Sequence, residues 1–483
     1  MRRATTSRSV VTNVGWNVLA KFLVFSLKFV SVPILARLLT PAEFGVVATG
    51  MVVVAFLALV GGAGLSAGLI RAPVEDSEAQ DSVFWANLAV AVALGALLYV
   101  SAGPAARLLG VPEAAWLLQV FAFLFPIHLG ADVAAARLAR RMAFAKEAFW
   151  SVVAESLAAA VAIAAAVAGL GVWALVLQQF CSAAVRFTGL MVASRYLPQP
   201  RFAWAKVRAL LGYGSRIAGA DVTNFIAFQS PLVIITRLLG LSDAGAFSLA
   251  NRLSDLPNQI VLSGLMGVLF PAFSGMAGEP ERRTRMLLRS SQGTTVMLAP
   301  LFFGCWAVAE PATAVVLGAQ WIYAWPVLGL LGLAKGIMSP CGSFIPFLRA
   351  TGHAGILWWF ALGRALVYVA AIAMGAILGG LVGAMVALCI VNVFIMLAYT
   401  AVVFRIAAVS LRAGLRCIAL PLCNAVVMAV VVRVVLDYAR PHLAGDFGLL
   451  TLGLAVGALV YALLVLMTQR DFLMSFYGLR RQA

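Results

Sequence analysis

The chain has 483 residues, of which 63% are hydrophobic and 11% charged, where a soluble domain carries about 45–50% and about 25%. With a mean hydropathy of +1.01, these figures exclude a water-soluble globular enzyme and predict an all-α integral membrane protein. The net charge of +17 does not signal nucleic acid, because that needs a clustered basic surface on a folded domain, and here the basic residues fall between apolar runs.

A helix needs about 20 apolar residues to cross a bilayer. Apolar segments fall near 15–36, 43–65, 82–103, 114–136, 149–169, 172–194 and 214–236, then 244–270, 291–315, 323–347, 355–378, 381–403, 414–436 and 447–467. That predicts 14 transmembrane helices, with boundaries good to about ±4 residues. The opening MRRATTSRS is basic, but no small-residue cleavage site follows, and Lys21 and Lys28 interrupt the apolar run. It reads as a retained first span, not a signal peptide. With the N-terminus in the cytoplasm, 24 Lys and Arg fall in inner segments and four (Arg37, Arg107, Arg237, Arg440) in outer ones, as the positive-inside rule requires. The expectation is a multi-pass protein of the cell inner membrane with both termini cytoplasmic.

The chain repeats itself. ILARLLTPAEFG at 34–45 aligns without gaps with IITRLLGLSDAG at 234–245. Ile34/Ile234, Arg37/Arg237, Leu38/Leu238, Leu39/Leu239 and Gly45/Gly245 are identical, and Glu43/Asp243 keeps an acid. The copies lie six spans apart, so both halves run in the same direction, a parallel repeat about an axis along the membrane normal. The expected domains are a six-helix bundle at 1–195, a cytoplasmic interfacial linker at 196–213, a second six-helix bundle at 214–404, and two added helices with a cytoplasmic tail at 405–483. In the linker, Phe202, Trp204, Val207, Leu210 and Leu211 alternate with Arg201, Lys206 and Arg208. A helix lying in the lipid interface and an ordinary basic loop both fit.

Enzyme chemistry finds no foothold. There is no G-x-x-x-x-G-K-[ST], no H-E-x-x-H and no G-x-S-x-G, so no catalytic residue is assigned. The acids Glu75, Asp76, Glu78 and Asp81 cluster in a loop expected on the cytoplasmic side. Six cysteines show neither metal-site nor disulfide spacing and read as small hydrophobes; no metal and no cofactor is expected.

The informative residues are charges inside apolar spans, because an ion at the bilayer centre costs about 2.5–3.5 kcal/mol even on the lenient insertion scale. In span 1, Asn13, Asn17, Lys21, Lys28 and Ser31 share a stripe about 80° wide at about 100° per residue. That suits the wall of an aqueous cavity; two snorkelling lysines are the bland alternative. Asp221 and Asn224 share a face in span 7, and the repeat sets Asp221 opposite Lys21. Span 8 carries Asn251, Arg252, Asp255, Asn258 and Gln259, with Arg252 and Asp255 three apart as a self-neutralising pair or as cavity groups. His128 and Asp132, one turn apart in span 4, fit a proton site or a structural hydrogen-bonded pair. Arg186, Lys335 and Arg364 complete the deep cations, with Glu155 among the acids and Arg433 near a span end. Without Arg433 the deep cations outnumber the acids by six to four. A cavity for cationic drugs favours acids, whereas arginine and lysine suit an anionic head group, Arg gripping phosphate oxygens in a bidentate manner.

The stretch VPILARLLTPAEFGVVATGMVVVAFLALVGGAGLSAGLIR resembles the opening of bacterial oligosaccharide-lipid flippases of the polysaccharide transporter (Wzx-type) family. FSLANRLSDLPNQIVLSGLMGVLFPAFS, LGAQWIYAWPVLGLLGLAKG and the FLRATGH turn fit as well, so that the likeness covers most of residues 10–405. It implies an alternating-access transporter of the multidrug/oligosaccharidyl-lipid/polysaccharide superfamily. Such a protein moves undecaprenyl-pyrophosphate-linked oligosaccharide units from the cytoplasmic to the outer leaflet, for export of exopolysaccharide, capsule or O-antigen. By location, the resemblance puts the pyrophosphate and sugar acids on Lys21, Lys28, Arg186, Arg252 and Arg364, with Asn17, Asn224, Asn251 and Asn258 as polar lining. It makes Asp132, Asp221, Asp255 and His128 candidates for coupling to a proton or sodium gradient. The implied partners are the lipid-linked oligosaccharide, the bilayer, and a polysaccharide polymerase with its export machinery. A cation-coupled multidrug exporter and a peptidoglycan precursor flippase are the alternatives within the superfamily, and a membrane scaffold for polysaccharide synthases is the alternative outside transport.

Overall fold

The computed structural model describes residues 23–470 apart from 25, 28, 63–64, 72–75, 277 and 444, and these form helices and connections without a strand. Lipid leaves no other open route, since each backbone N–H and C=O must find its partner inside the segment. The chain divides into two compact units, Met1–Gly245 and Ala246–Ala483.

In the first unit, α1 (Phe29–Leu38) is followed by α2 (Pro41–Gly62), α3 (Leu65–Arg71), α4 (Ser77–Leu108), α5 (Ala115–Phe121), α6 (Leu124–Arg140), α7 (Phe144–Val167), α8 (Val172–Ser194) and α9 (Trp204–Leu239). Its connections gather at two ends. At one, Arg140 Nη1 donates to the Leu69 carbonyl at 3.0 Å and the Tyr196 hydroxyl donates to Asp81 Oδ1 at 2.9 Å. At the other, Trp116 and Trp173 lie 5.2 Å apart. This grouping is the alternation expected of antiparallel spans. Leu117, Phe121, Phe125 and Val133 are fully buried between them, whereas Val100, Leu108, Val167 and Val192 lie largely exposed, as a lipid-facing surface must.

The internal repeat has a physical counterpart. A Cβ on Gly45 would meet the Leu241 carbonyl oxygen at 1.9 Å, and a Cβ on Gly245 would meet the Pro41 oxygen at 1.9 Å. The contacts are reciprocal at an offset of 200, so the two motif copies face each other about a local twofold. Only glycine permits this approach of backbone to backbone. The first copy opens α2 with a capping box: Thr40 N donates to Glu43 Oε2 at 2.7 Å and Glu43 N to Thr40 Oγ1 at 3.4 Å. Beyond it, the buried Thr49 and Thr236 hydroxyls bond at 2.9 Å.

α10 (Leu241–Ser274) leads into the second unit, which continues with α11 (Pro280–Ala307), α12 (Ala309–Val316), α13 (Trp325–Ile337), α14 (Phe344–Ala350), α15 (Ala354–Ile406), α16 (Leu411–Ala439) and α17 (Asp446–Thr468). Several are broken. α11 and α12 bend by 76°, and the segment ending in α13 bends by 50° into the one holding α14. α15 leaves helical geometry at Gly379 and Gly380, the latter at φ 61°. A Cβ on Gly375 would meet the Gly383 oxygen at 2.5 Å, although eight residues of continuous helix would separate them by about 12 Å. α15 is therefore a hairpin of two limbs, divided where the expected spans 355–378 and 381–403 meet. Among the described residues, nine helices are long and apolar enough to cross a membrane, or eleven with each bent pair counted as one span. α15 enters that count once. The core clusters Phe273, Phe344, Phe347 and Phe404, and a second cluster fastens α16 and α17 to α11 through Met428, Val432, Leu436 and Leu449. All six cysteines are free.

Candidate functional site

The best-defined polar cluster inside the apolar helices lies in the second unit. Positions 251, 254 and 255 of α10 share one helix face, and Lys335 of α13 reaches across to all three. Its ammonium donates to Asp255 Oδ1 at 2.6 Å, Ser254 Oγ at 2.8 Å, Asn251 Oδ1 at 2.9 Å and the Asn251 carbonyl at 3.2 Å. The second limb of α15 holds α13 in place: Asn392 Nδ2 donates to the Ala334 carbonyl at 2.9 Å and Cys389 Sγ to the Leu330 carbonyl at 3.2 Å. The Tyr368 hydroxyl, from the first limb, donates to Asn392 Oδ1. Arg364 lies one turn before Tyr368, half-buried.

The first unit holds a second cluster. Arg186 of α8 lies 3.8 Å from Glu147 of α7, and α8 packs on the helix that carries His128 and Asp132, where a Cβ on Gly130 of α6 would meet the Phe187 ring at 3.0 Å. The sequence gives these residues separate roles, the arginine for an anion and the His–Asp pair for a proton. The fold packs the helices that carry them against each other.

A third cluster ties down the connection between α8 and α9. Asp76 caps α4, accepting from Glu78 N at 3.0 Å and Ala79 N at 3.4 Å. Lys206 pairs with Asp76 at 2.7 Å and with Glu78. That pairing holds the Asp76 carboxyl below its usual range and raises the Lys206 ammonium. Asp81 is buried and accepts from Tyr196 and, at 3.3 Å, from Gln199 N. Burial and the Asp81 carboxylate push the Tyr196 phenol up. Ser82 Oγ accepts from Ala203 N at 2.9 Å, Trp85 Nε1 donates to the Gln199 carbonyl at 2.7 Å, and the Arg137 guanidinium stands 5.7 Å from the Tyr196 ring centre. The acids of the 75–81 cluster that are described thus serve as the seat of the linker, which is non-helical at 196–203 and helical from Trp204 onward.

Of the residues singled out in the sequence, Asn13, Asn17, Lys21, Lys28 and Glu75 lie outside the described residues, as does the Asp221 side chain. Ser31 is buried, Asn258 half-buried, and Asn224 and Arg252 exposed. Asp255, which the three-residue spacing pairs with Arg252, has its cross-helix partner in Lys335. Arg433 is engaged by Glu310 at 3.6 Å and Asp437 at 3.5 Å and stands 5.6 Å from the Trp325 ring centre. Glu310 also binds Arg440 at 2.6 Å. Lys335 is the residue whose place in the site the sequence does not reveal, since 80 residues separate it from Asp255. Among the described residues no His, Cys, Asp and Glu group is arranged to hold a metal ion.

Charged side chains held inside a helical membrane chain fit a transporter, and comparison with known proteins agrees. A family model described as polysaccharide biosynthesis protein matches residues 34–326. The succinoglycan biosynthesis transport protein ExoT of Rhizobium meliloti (strain 1021) is 49% identical over 481 residues, covering 100% of this chain and 97% of that protein. The chain belongs to the polysaccharide biosynthesis protein family. Another relative in sequence, the lipopolysaccharide biosynthesis protein WzxC of Escherichia coli (strain K12), is 21% identical over 77% of this chain and 76% of its own. In fold, this family member is similar to the lipid II flippase MurJ in an inward closed conformation. The TM-score is 0.77 at 13% identity, covering 95% of this chain and 99% of that one. An inward-facing multidrug resistance MATE transporter of the MOP superfamily follows, with a TM-score of 0.63 at 15% identity over 80% and 94%.

Proposed function

We propose that this protein flips a polyprenyl-pyrophosphate-linked oligosaccharide repeat unit from the cytoplasmic to the outer leaflet of the cell membrane, for export of a surface polysaccharide. The observation that carries this reading is the 49% identity, over the full length, to a succinoglycan biosynthesis transport protein. The intramembrane cations support it physically. A pyrophosphate carries its charge through lipid only where fixed positive groups replace water; Arg186, Arg252 and Arg364 lie in apolar helices, and Lys21 and Lys28 fall in an apolar run of the sequence. In this reading, Asn17, Asn224 and Asn258 bind sugar hydroxyls, Asn251 is taken up by Lys335, and the polyprenyl tail stays in lipid. His128, Asp132 and Asp221 are the candidates for coupling to a proton or sodium gradient. The termini face the cytoplasm of an inner membrane, and a polymerase with its export machinery takes up the flipped unit.

The test is a deletion strain. Extracted polyprenyl-linked sugars should contain the finished repeat unit in excess, while surface polymer disappears. Intact glycans with new sensitivity to cationic drugs would replace the reading with a multidrug exporter; arrest of cell-wall synthesis would favour the peptidoglycan precursor. Reversal of charge at Lys28 or Arg252 should abolish export while the protein stays in the membrane. Normal export by both variants would remove the assignment of the cations.

A further inference from the structure

Lys335 has more oxygen around it than its hydrogen-bonding requires. An ammonium carries three N–H donors, yet four oxygens lie between 2.6 and 3.2 Å of the nitrogen. They are a carboxylate, a hydroxyl, a side-chain amide and a backbone carbonyl, all from one face of α10. Hard oxygen ligands of this mixture, with one full negative charge among them, hold metal cations. The set is also compact. Two of its members are adjacent residues and the third is one turn away, while Asn392 and Cys389 fix α13 by its backbone opposite them. The Lys335 side chain is 15% exposed and that of Asp255 36%, so the cage opens on the acid's side and is filled from the lysine's side.

We propose that the Asn251–Ser254–Asp255 face is a monovalent-cation site whose resident ion is the chain's own Lys335 ammonium. The protein thus carries its counter-ion covalently and takes no sodium ion at this place. Asp255, which the family resemblance makes a candidate for ion coupling, is already neutralised, so any external ion must act elsewhere. Removing the ammonium leaves a carboxyl and three neutral oxygens within one turn of α10, and that set becomes a sodium site.

The experiment uses the purified full chain at about pH 8, well above the ordinary carboxylate range, with sodium chloride against choline chloride at equal ionic strength. Lys335→Met should show a melting midpoint that rises with sodium, an effect absent from the wild type and from Lys335→Met combined with Asp255→Asn. If Lys335→Met does not accumulate, Lys335→Ala supplied with methylammonium, which returns the same head group to the cage, should recover stability over choline. Lack of response in these variants would overturn the proposal. So would sodium binding by the wild type that Asp255→Asn abolishes, a measurement needing no lysine variant. None of these readouts depends on transport, so they stand or fall separately from the flippase reading.

Discussion

Two lysines of this protein are each held by acids from a distant part of the chain, and they differ in surroundings. Lys206 meets Asp76 and Glu78 with 34% of its side chain exposed, while Lys335 meets Asp255 with 15% exposed inside apolar helices. At the exposed site, water and salt compete with each carboxylate, and the pair adds little beyond what solvent already gave. At the buried site, the Lys335 ammonium cannot be re-solvated when Asp255 is removed. The same two functional groups therefore act as a surface fastening in one unit and as an obligatory partnership in the other.

The largest expected effect tests the buried side of that contrast. Asp255→Ala strands the Lys335 ammonium among neutral oxygens and should destabilise the protein by about 3–5 kcal/mol, read as a lowered melting midpoint or loss from the membrane fraction. Combining Asp255→Leu with Lys335→Met removes both charges and should return most of that stability. A double variant as unstable as Asp255→Ala would show that shape, not charge, governs the site.

Tyr196→Phe should follow in size. It takes from the buried Asp81 carboxylate its phenolic donor and leaves the Gln199 N–H at 3.3 Å. An under-satisfied buried acceptor costs about 1–3 kcal/mol. The ring keeps its edge-to-face contact with Phe84 at 6.1 Å, so packing is preserved and the loss isolates the hydrogen bond. Unchanged melting in this variant would mean that Gln199 N and solvent suffice for Asp81.

How much of this was legible in the sequence follows from the range of the interactions. The helices were legible because lipid demands an unbroken apolar run, and the break between the limbs of α15 fell where two expected spans met. The pairing of Gly45 with Gly245 was half legible: the repeat marked them as equivalent but not as touching. Lys335–Asp255 and Tyr196–Asp81 were not legible, because 80 and 115 residues separate the partners and sequence spacing exposes only neighbours on one helix. The spacing of Arg252 and Asp255 offered a local pair, and tertiary structure supplied a further one. The alternation of basic and apolar residues at 201–211 suggests a surface helix or a loop. Helix does begin at Trp204, and what spacing could not show is that Asp76, Glu78, Asp81 and Ser82 hold the segment.

The smallest effect belongs to the exposed pair, and its pH dependence follows from the direction of the shifts. Lys206 holds the Asp76 carboxyl below its ordinary 3.8, so the acid's contribution is complete above that value and is lost as pH falls through the lower folded value. The acids hold Lys206 above its ordinary 10.5, so its contribution is complete below that value and is lost as pH rises through the higher folded one. Between these limits the fastening should be flat in pH and should weaken with salt. Hydrogen exchange at residues 199–206, corrected for the intrinsic rate, reads it directly. Lys206→Met should speed exchange in this segment at low salt and leave global melting nearly unchanged, because Asp76 still caps α4 and Tyr196 still holds Asp81. If Lys206→Met instead lowered the melting point as far as Asp255→Ala does, exposure would not be what separates the two lysines, and the linker would have to be counted as part of the core that carries the first unit.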